Sequence, residues 1–180
     1  MRKLNKRITD LAVIFSLLDT CHVGRLGTIS SDGWPTIKPL NFAHLDWRIY
    51  FHCALEGEKI DDIRRDNRVC FEVDLPIAYV KGQPDNPCRA EYLFRSVIIR
   101  GRAAIVADRA EKIVALNCLM RKFQPGVIFA DYGYDKLDIT GIVRVDIDDL
   151  SGKEDLGKDA LREQALRALA AGGPFPVVLE

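Results

Sequence analysis

The chain has 180 residues, 26 basic and 26 acidic, and 48% of them are hydrophobic. This length suffices for one substantial core, and the balanced charge gives no electrostatic basis for binding nucleic acid. No stretch approaches the roughly 18 to 20 uninterrupted apolar residues of a membrane helix, and the basic start MRKLNKR is not followed by a signal-peptide cleavage pattern. We therefore expect a cytoplasmic protein with neither a nucleic-acid nor a membrane partner.

The cysteines and histidines indicate neither a disulfide framework nor a metal site. The chain has five cysteines, an odd number, and no two of them form a C-x-x-C pair. This pattern favours reduced thiols. The three histidines, at positions 22, 44 and 52, match no standard zinc spacing, so we predict no metal.

The first half of the chain predicts a helix followed by an antiparallel meander. Apolar residues at helical spacing predict an amphipathic helix over 9–20, with Thr9 or Asp10 as its N-cap. Three β-like runs follow: HVGRLGTIS, WPTIKPLNFAH and RIYFHC. The Asp-Gly pair in SSDGW predicts a hairpin between the first two. Pro35 and Pro39 lack the N–H that a ladder needs, so they predict an edge strand or a strand with one exposed backbone side.

The second half alternates helices and long strands. EGEKIDDIRRDN predicts a short, mostly solvated helix from about Gly57, RVCFEVDLPIAYV a strand, and KGQPDNPCRAE a loop. YLFRSVIIRGRAAIVA predicts a strand bent at Gly101, and Asp108 should cap a helix over 109–123. ITGIVRVDIDDLSG predicts a last strand, followed by a helix from residue 159 and a tail, PFPVVLE.

About six strands joined mainly by tight turns predict a mainly β protein, a small antiparallel barrel with flanking helices. The prediction places one barrel domain with its N-terminal helix at 1–158, and a C-terminal helix and tail at 159–180. No G-x-G-x-x-G or P-loop motif is present, and helix and strand do not alternate as a doubly wound sheet requires.

Three segments, taken in order, carry a family resemblance. GRLGTISSDGWPTIKPLNF, IYFHCALEGEKIDDIRRDNRVCFEV and FRSVIIRGRAAIVAD resemble the FMN-binding split-barrel superfamily of pyridoxamine 5'-phosphate oxidase, most closely its Nim-type branch of nitroimidazole reductases. The resemblance runs from about Leu11 to Lys153. Each motif alone occurs often by chance, but their order is more specific.

The resemblance implies FMN lying across the barrel at a homodimer interface. It implies that one strand lines the flavin ring and the next lies beneath the flavin and its ribityl chain. It also implies that basic and hydroxyl side chains of these strands and of the short helix hold the phosphate, with Lys59 as the basic residue of the helix and Lys38 as a phosphate or ring contact. The implied contacts are Pro35, Thr36, Ile37, Lys38, Pro39 and Asn41 on the first strand, Phe51, His52 and Cys53 on the next, Lys59 on the helix, and Ser96 on the long strand.

Each of these side chains also has a plainer interpretation. Lys59 and Lys38 could be solvated lysines, Cys53 a packed thiol, Asn41 a turn former, and Ser96 a serine bonded to a neighbouring backbone. His52 is the candidate catalytic residue, because an imidazole can relay a proton near neutral pH. Its alternatives are to hold the cofactor or to pack against a backbone carbonyl.

The function implied by the resemblance is electron transfer from a nicotinamide donor through FMN to a small acceptor such as a nitroaromatic. The chain departs from the oxidase proper, which has an Arg-Lys pair where Glu58 and Lys59 stand, and it lacks that enzyme's C-terminal substrate-binding segment. Both departures argue against pyridoxamine phosphate as substrate. The alternatives are a non-enzymatic carrier or sensor of flavin, haem or F420 on the same barrel, and a structural domain without a cofactor.

Overall fold

The computed structural model describes residues 4–179, which form nine β-strands and five α-helices. The strands are β1 (Arg7–Ile8), β2 (Val23–Ile29), β3 (Pro35–Asn41), β4 (Ala43–Leu45), β5 (Arg48–Cys53), β6 (Arg68–Val80), β7 (Glu91–Ile105), β8 (Gly141–Asp155) and β9 (Val177–Leu179). The helices are α1 (Leu11–Thr20), α2 (Glu58–Arg65), α3 (Arg109–Phe123), α4 (Tyr134–Ile139) and α5 (Asp159–Ala171).

The strands form one sheet in the order β3-β2-β6-β7-β8-β5-β4, with β1 added to β8 and β9 added to β6. The hairpin predicted at Asp32-Gly33 is confirmed: β2 and β3 pair antiparallel from Val23 opposite Asn41 to Ile29 opposite Pro35. Gly33 has a φ of 86°, which glycine adopts without strain. Since β3 ends the sheet order, the edge position predicted from its two prolines is also confirmed.

The sheet curls back on itself. Residues of β3 come within 8 Å, Cα to Cα, of residues in β5, a strand near the opposite end of the sheet order. The architecture is therefore a mainly antiparallel β-barrel with flanking helices, and the predicted fold class is confirmed.

The chain divides into two compact units, and each has its own core. In its described part the first unit comprises residues 4–17, 74–97 and 151–179, and its core packs α5 and β9 against the buried side chains of Ile77 and Leu93. The second comprises residues 18–73 and 98–150. Its fully buried side chains include Phe42 and Phe71, whose rings meet edge to face at 4.9 Å.

Two predicted helix caps are present. The Asp10 carboxylate accepts a hydrogen bond from the N–H of Ala12 at 2.8 Å, so Asp10 rather than Thr9 is the N-cap of α1. The Asp108 carboxylate accepts from the N–H of Glu111 at 2.9 Å at the start of α3. Gly101 lies inside the continuous strand β7, where a Cβ would overlap the carbonyl oxygen of Asp146. Glycine is thus needed there for a close approach of β8.

The structure corrects several element boundaries. Nine strands are present where about six were predicted, because residues 34–44 contain two strands and the short β1 and β9 were missed. Ile139 was assigned to the last strand but ends α4. The predicted tail contains β9, which pairs in parallel with Ala78–Val80 of β6.

Among the described residues no helix combines the length and apolarity needed to cross a bilayer.

Candidate cofactor site

The edge strand β3 presents two different faces, because side chains alternate along a strand. Thr36 and Lys38 are half-buried, whereas Ile37 is 69% exposed. The residues on the exposed face are Pro35, Ile37, Pro39 and Asn41. The Asn41 side chain donates to the carbonyl oxygen of His22 at 3.3 Å, a bond that ties the end of β3 to the chain before β2. The six residues implied on this strand therefore divide between an outward face and a face turned towards α2.

A chain of hydrogen bonds runs beneath β3. The Lys38 ammonium donates to the Thr36 hydroxyl at 2.9 Å, and the hydroxyls of Thr36 and Thr28 lie 2.8 Å apart. The Thr28 hydroxyl in turn donates to the carboxylate of Asp62 at 2.7 Å. Asp62 lies on α2, so this chain fixes the helix to both strands of the hairpin.

The Asp62 carboxylate is 2% exposed and remains charged. Burial alone would raise its pKa, but hydrogen bonds from Thr28 and Arg65, together with the nearby Lys38 ammonium, outweigh burial and lower the pKa below its ordinary value. Arg65 lies 3.0 Å from the carboxylate and also donates to the carbonyl of Ile29. The Asp62 carboxylate thus orders a set of hydrogen-bond donors between α2 and the β2–β3 hairpin.

The end of β5 places its last three side chains differently. Phe51 is fully buried, His52 is exposed, and Cys53 is half-buried. Burial raises the pKa of the Cys53 thiol, and the Lys59 ammonium opposes this only in part. A half-buried thiol with a raised pKa is typical of a packed cysteine rather than of a reactive thiolate.

Gly57 directly precedes α2 and has a φ of 118°, a backbone conformation that favours glycine. The first N–H groups bonded back to Gly57 are those of Ile60 and Asp61, at 2.8 and 3.1 Å, and no side chain caps the helix. The N–H groups of Glu58 and Lys59 thus precede the first helical bond, at the positive end of the helix dipole. The Lys59 ammonium lies 5.8 Å from the centroid of the Phe51 ring.

One acidic group stands among these donors. The Glu58 carboxylate lies 3.2 Å from the Lys38 ammonium, and that ammonium is also 3.8 Å from Asp62. The first N–H groups of α2 and the Lys59 ammonium fit the phosphate of a flavin, because such an anion takes N–H and ammonium donors. His52 lies on the face of β5 opposite to Phe51, and its contact with a flavin stays a prediction. Lys38 can bind this phosphate only if the Glu58 carboxylate moves away from the Lys38 ammonium.

The remaining implied contact, Ser96, is a half-buried residue of β7 in the first unit. Its contact with a flavin ring stays a prediction. Among the described residues no cluster of three or more histidine, cysteine or acidic side chains could hold a metal ion.

Thr28, Glu58, Asp62 and Arg65 complete the observed set but are not among the contacts that the resemblance implies. A signal for Asp62 was available: it lies between Ile60 and Ile63 in α2, and all three are buried. A carboxylate on the buried side of a short helix needs partners, and the threonines of the preceding hairpin provide them.

Comparison with known proteins identifies the family. A model of the pyridoxamine 5'-phosphate oxidase family matches residues 10–154. The chain belongs to this family. The predicted resemblance is confirmed, and the match covers the hairpin, β5, α2 and the long strands. Among curated proteins, none matches the chain.

Three solved structures are similar to this chain. One, described as a candidate 5-nitroimidazole antibiotic resistance protein from Bacteroides thetaiotaomicron, is 26% identical, with a TM-score of 0.73, 82% of this chain covered and 86% of that one. The flavocytochrome Anf3 from Azotobacter vinelandii is 21% identical, with a TM-score of 0.76 and coverage of 91% and 77%. An FAD- and haem-binding protein from Mycobacterium smegmatis is also 21% identical, with a TM-score of 0.76 and coverage of 94% and 81%.

Proposed function

We propose that this member of the pyridoxamine 5'-phosphate oxidase family binds FMN and passes electrons from a nicotinamide donor to a small acceptor such as a nitroaromatic. The observation that carries the proposal is the convergence of the open edge strand β3, the strand β5 and the uncapped start of α2, which pairs with Lys38 of β3 and lies against Phe51 of β5. A flavin ring and a phosphate need such a combination of exposed strand and anion-binding helix end.

In this proposal the protein's own residues bind and orient the cofactor. The first N–H groups of α2 and the Lys59 ammonium hold the phosphate, and the exposed backbone of β3 around Ile37 lines the ring. His52 donates to the phosphate or to a ring carbonyl, or relays a proton to the acceptor. The bound FMN supplies the transfer of reducing equivalents from donor to acceptor.

The proposal includes a homodimer with the flavin at the interface. The edge strand supports it: Trp34 and Ile37 are 70% and 69% exposed, and β3 ends the sheet order with one side open for a partner. Size-exclusion chromatography with light scattering would test it, because a monomeric mass with FMN bound would contradict the dimer. The expected cytoplasmic location, where nicotinamide donors are available, belongs to the same proposal.

A non-enzymatic carrier of flavin, haem or F420 is the second candidate. Two solved relatives favour it, since one is named a flavocytochrome and the other an FAD- and haem-binding protein. His44 is a poor axial ligand, because its ring nitrogens face the Asp46 carbonyl and the Asp19 carboxylate. His52 is exposed, so a Soret band lost in His52→Ala would favour haem binding. A structural domain without a cofactor would stay colourless.

The absorption spectrum of the purified full chain is the first test. Flavin bands, with FMN released on denaturation, would support the proposal, whereas failure to take up added FMN would refute it. Oxidation of a nicotinamide cofactor, with and without a nitroaromatic, then separates enzyme from carrier.

Lys59→Ala tests the phosphate assignment. It should weaken FMN binding by about 1.5–3 kcal/mol, the scale of a hydrogen bond to a charged group. Lys136→Ala is the matched control, because Lys136 is an exposed lysine of α4 that pairs with Asp135. Equal FMN affinity in the two variants would show that the Lys59 ammonium does not bind the phosphate.

A further inference from the structure

The two carboxylates near Lys38 differ in their freedom to move. Asp62 is 2% exposed and is held by Thr28 and Arg65, whereas the Glu58 side chain is 60% exposed. The only hydrogen-bond or ion-pair partner of the Glu58 carboxylate in the described residues is the Lys38 ammonium, at 3.2 Å. Glu58 is therefore the carboxylate that an incoming anion can displace.

Glu58 is also the first residue of α2, so its carboxylate lies at the end of the helix where the proposed phosphate site is. A phosphate monoester carries between about one and a half and two negative charges at neutral pH. The phosphate and the Glu58 carboxylate would repel each other if both contacted the Lys38 ammonium. For a phosphate to use Lys38, the Lys38–Glu58 pair has to open.

We propose that Glu58 is an internal competitor for the phosphate and sets how strongly this site distinguishes a phosphorylated flavin from an unphosphorylated one. In the free protein the Glu58 carboxylate pairs with the Lys38 ammonium, and binding of the FMN phosphate displaces that carboxylate. The displaced carboxylate stays near the helix start and reduces the net attraction for the dianion. This inference rests on the proposed function and deepens it, because it concerns the same site.

The expected effect is modest, because Glu58 is exposed and solvent screens its charge. We expect Glu58→Gln to tighten FMN binding about three- to tenfold at low ionic strength, where one carboxylate faces a phosphate of nearly two charges. The gain should shrink at high salt. Riboflavin has no phosphate, so its dissociation constant should change by less than about twofold.

The control variant is Asp61→Asn. Asp61 lies in the same first turn of α2, is 66% exposed and pairs with Arg64 at 3.4 Å rather than with Lys38. It removes the same charge from the same helix without touching the competing pair. Its ratio of riboflavin to FMN dissociation constants should match that of the unaltered protein.

The experiment titrates the full chain, stripped of bound flavin, with FMN and with riboflavin while flavin fluorescence is followed. An increased ratio in Glu58→Gln alone supports the inference. An unchanged ratio, an equal gain for riboflavin, or an equal gain in Asp61→Asn overturns the inference and leaves flavin binding intact. No saturable binding of either flavin to any of the three proteins overturns the proposed function, and this inference with it.

Discussion

Replacing Asp62 by alanine should destabilise the second unit strongly, because the carboxylate is the acceptor on which the hairpin and α2 converge. It accepts from Thr28 at 2.7 Å and from Arg65 at 3.0 Å, with Thr36 more distant at 3.4 Å. In Asp62→Ala the hydroxyls of Thr28 and Thr36 have only each other as partners, so one of the two O–H groups loses its acceptor. An unpaired buried donor costs about 1–3 kcal/mol.

Loss of the Asp62 carboxylate costs less free energy at Arg65 and Lys38 than it would at the cation of a fully buried ion pair. The Arg65 and Lys38 side chains are 39% and 22% exposed, so water replaces part of what they lose. Removing one partner of a fully buried pair costs about 3–5 kcal/mol, and partial exposure reduces that figure. Together these terms give a loss of about 2–4 kcal/mol, and a fall in Tm of roughly 5 to 15 °C for a chain of this size.

Urea unfolding followed by circular dichroism measures the loss. The pKa of Asp62 is lowered in the folded state, so its contribution is present above the ordinary pKa of 3.8 and is lost as pH falls through the lowered value. The difference between the variant and the unaltered protein should therefore shrink in acid. Asp61→Ala, in the exposed part of α2, should cost less than about 0.5 kcal/mol. Equal stability of the two variants would refute the structural role of Asp62.

Three further perturbations test other parts of the fold. Gly24→Ala should cost about 1–3 kcal/mol in urea unfolding, because its Cβ would lie 2.8 Å or less from the Phe71 ring; a second change, Phe71→Leu, should recover part of the loss. Lys112→Met should speed amide hydrogen exchange in α4, since the buried ammonium donates to two carbonyls at the end of that helix, at 2.8 and 2.9 Å, and unchanged exchange would contradict this. Burial lowers the pKa of Lys122 to about 8, so the folded state binds fewer protons than the unfolded state between about pH 8 and 10. Stability from this group should rise with pH across that range, and an identical pH slope in Lys122→Met would disprove it.

The elements predicted correctly are those with local signals. Two prolines in β3, Gly57 before α2 and Asp108 before α3 each act on their own few residues, and the structure places all three elements as predicted. The strand β9 has no such signal. Three residues become a strand only because β6 offers an edge about a hundred positions earlier in the chain. Local propensity carries no information about such a partner.

The candidate site likewise contains features that local sequence predicts and features that it does not. Lys59 could be placed at a helix start from the sequence, because Gly57 and the charged run after it predict that helix. The pair between Lys38 and Glu58 joins residues twenty positions apart, and it depends on how α2 packs on the hairpin. Sequence spacing predicts neighbours within an element and does not predict which charges meet across two elements.

The parallel pairing of β9 with β6 has a consequence for synthesis in the cell. Ala78–Val80 leave the ribosome about a hundred residues before Val177–Leu179, so the edge of β6 that β9 covers stays open during that interval. At about 5–20 residues per second the delay is on the order of 5 to 20 seconds. For that time the nascent chain presents an unpaired strand edge, the kind of surface on which chains associate wrongly. A chain shortened by those three residues would keep this exposure permanently.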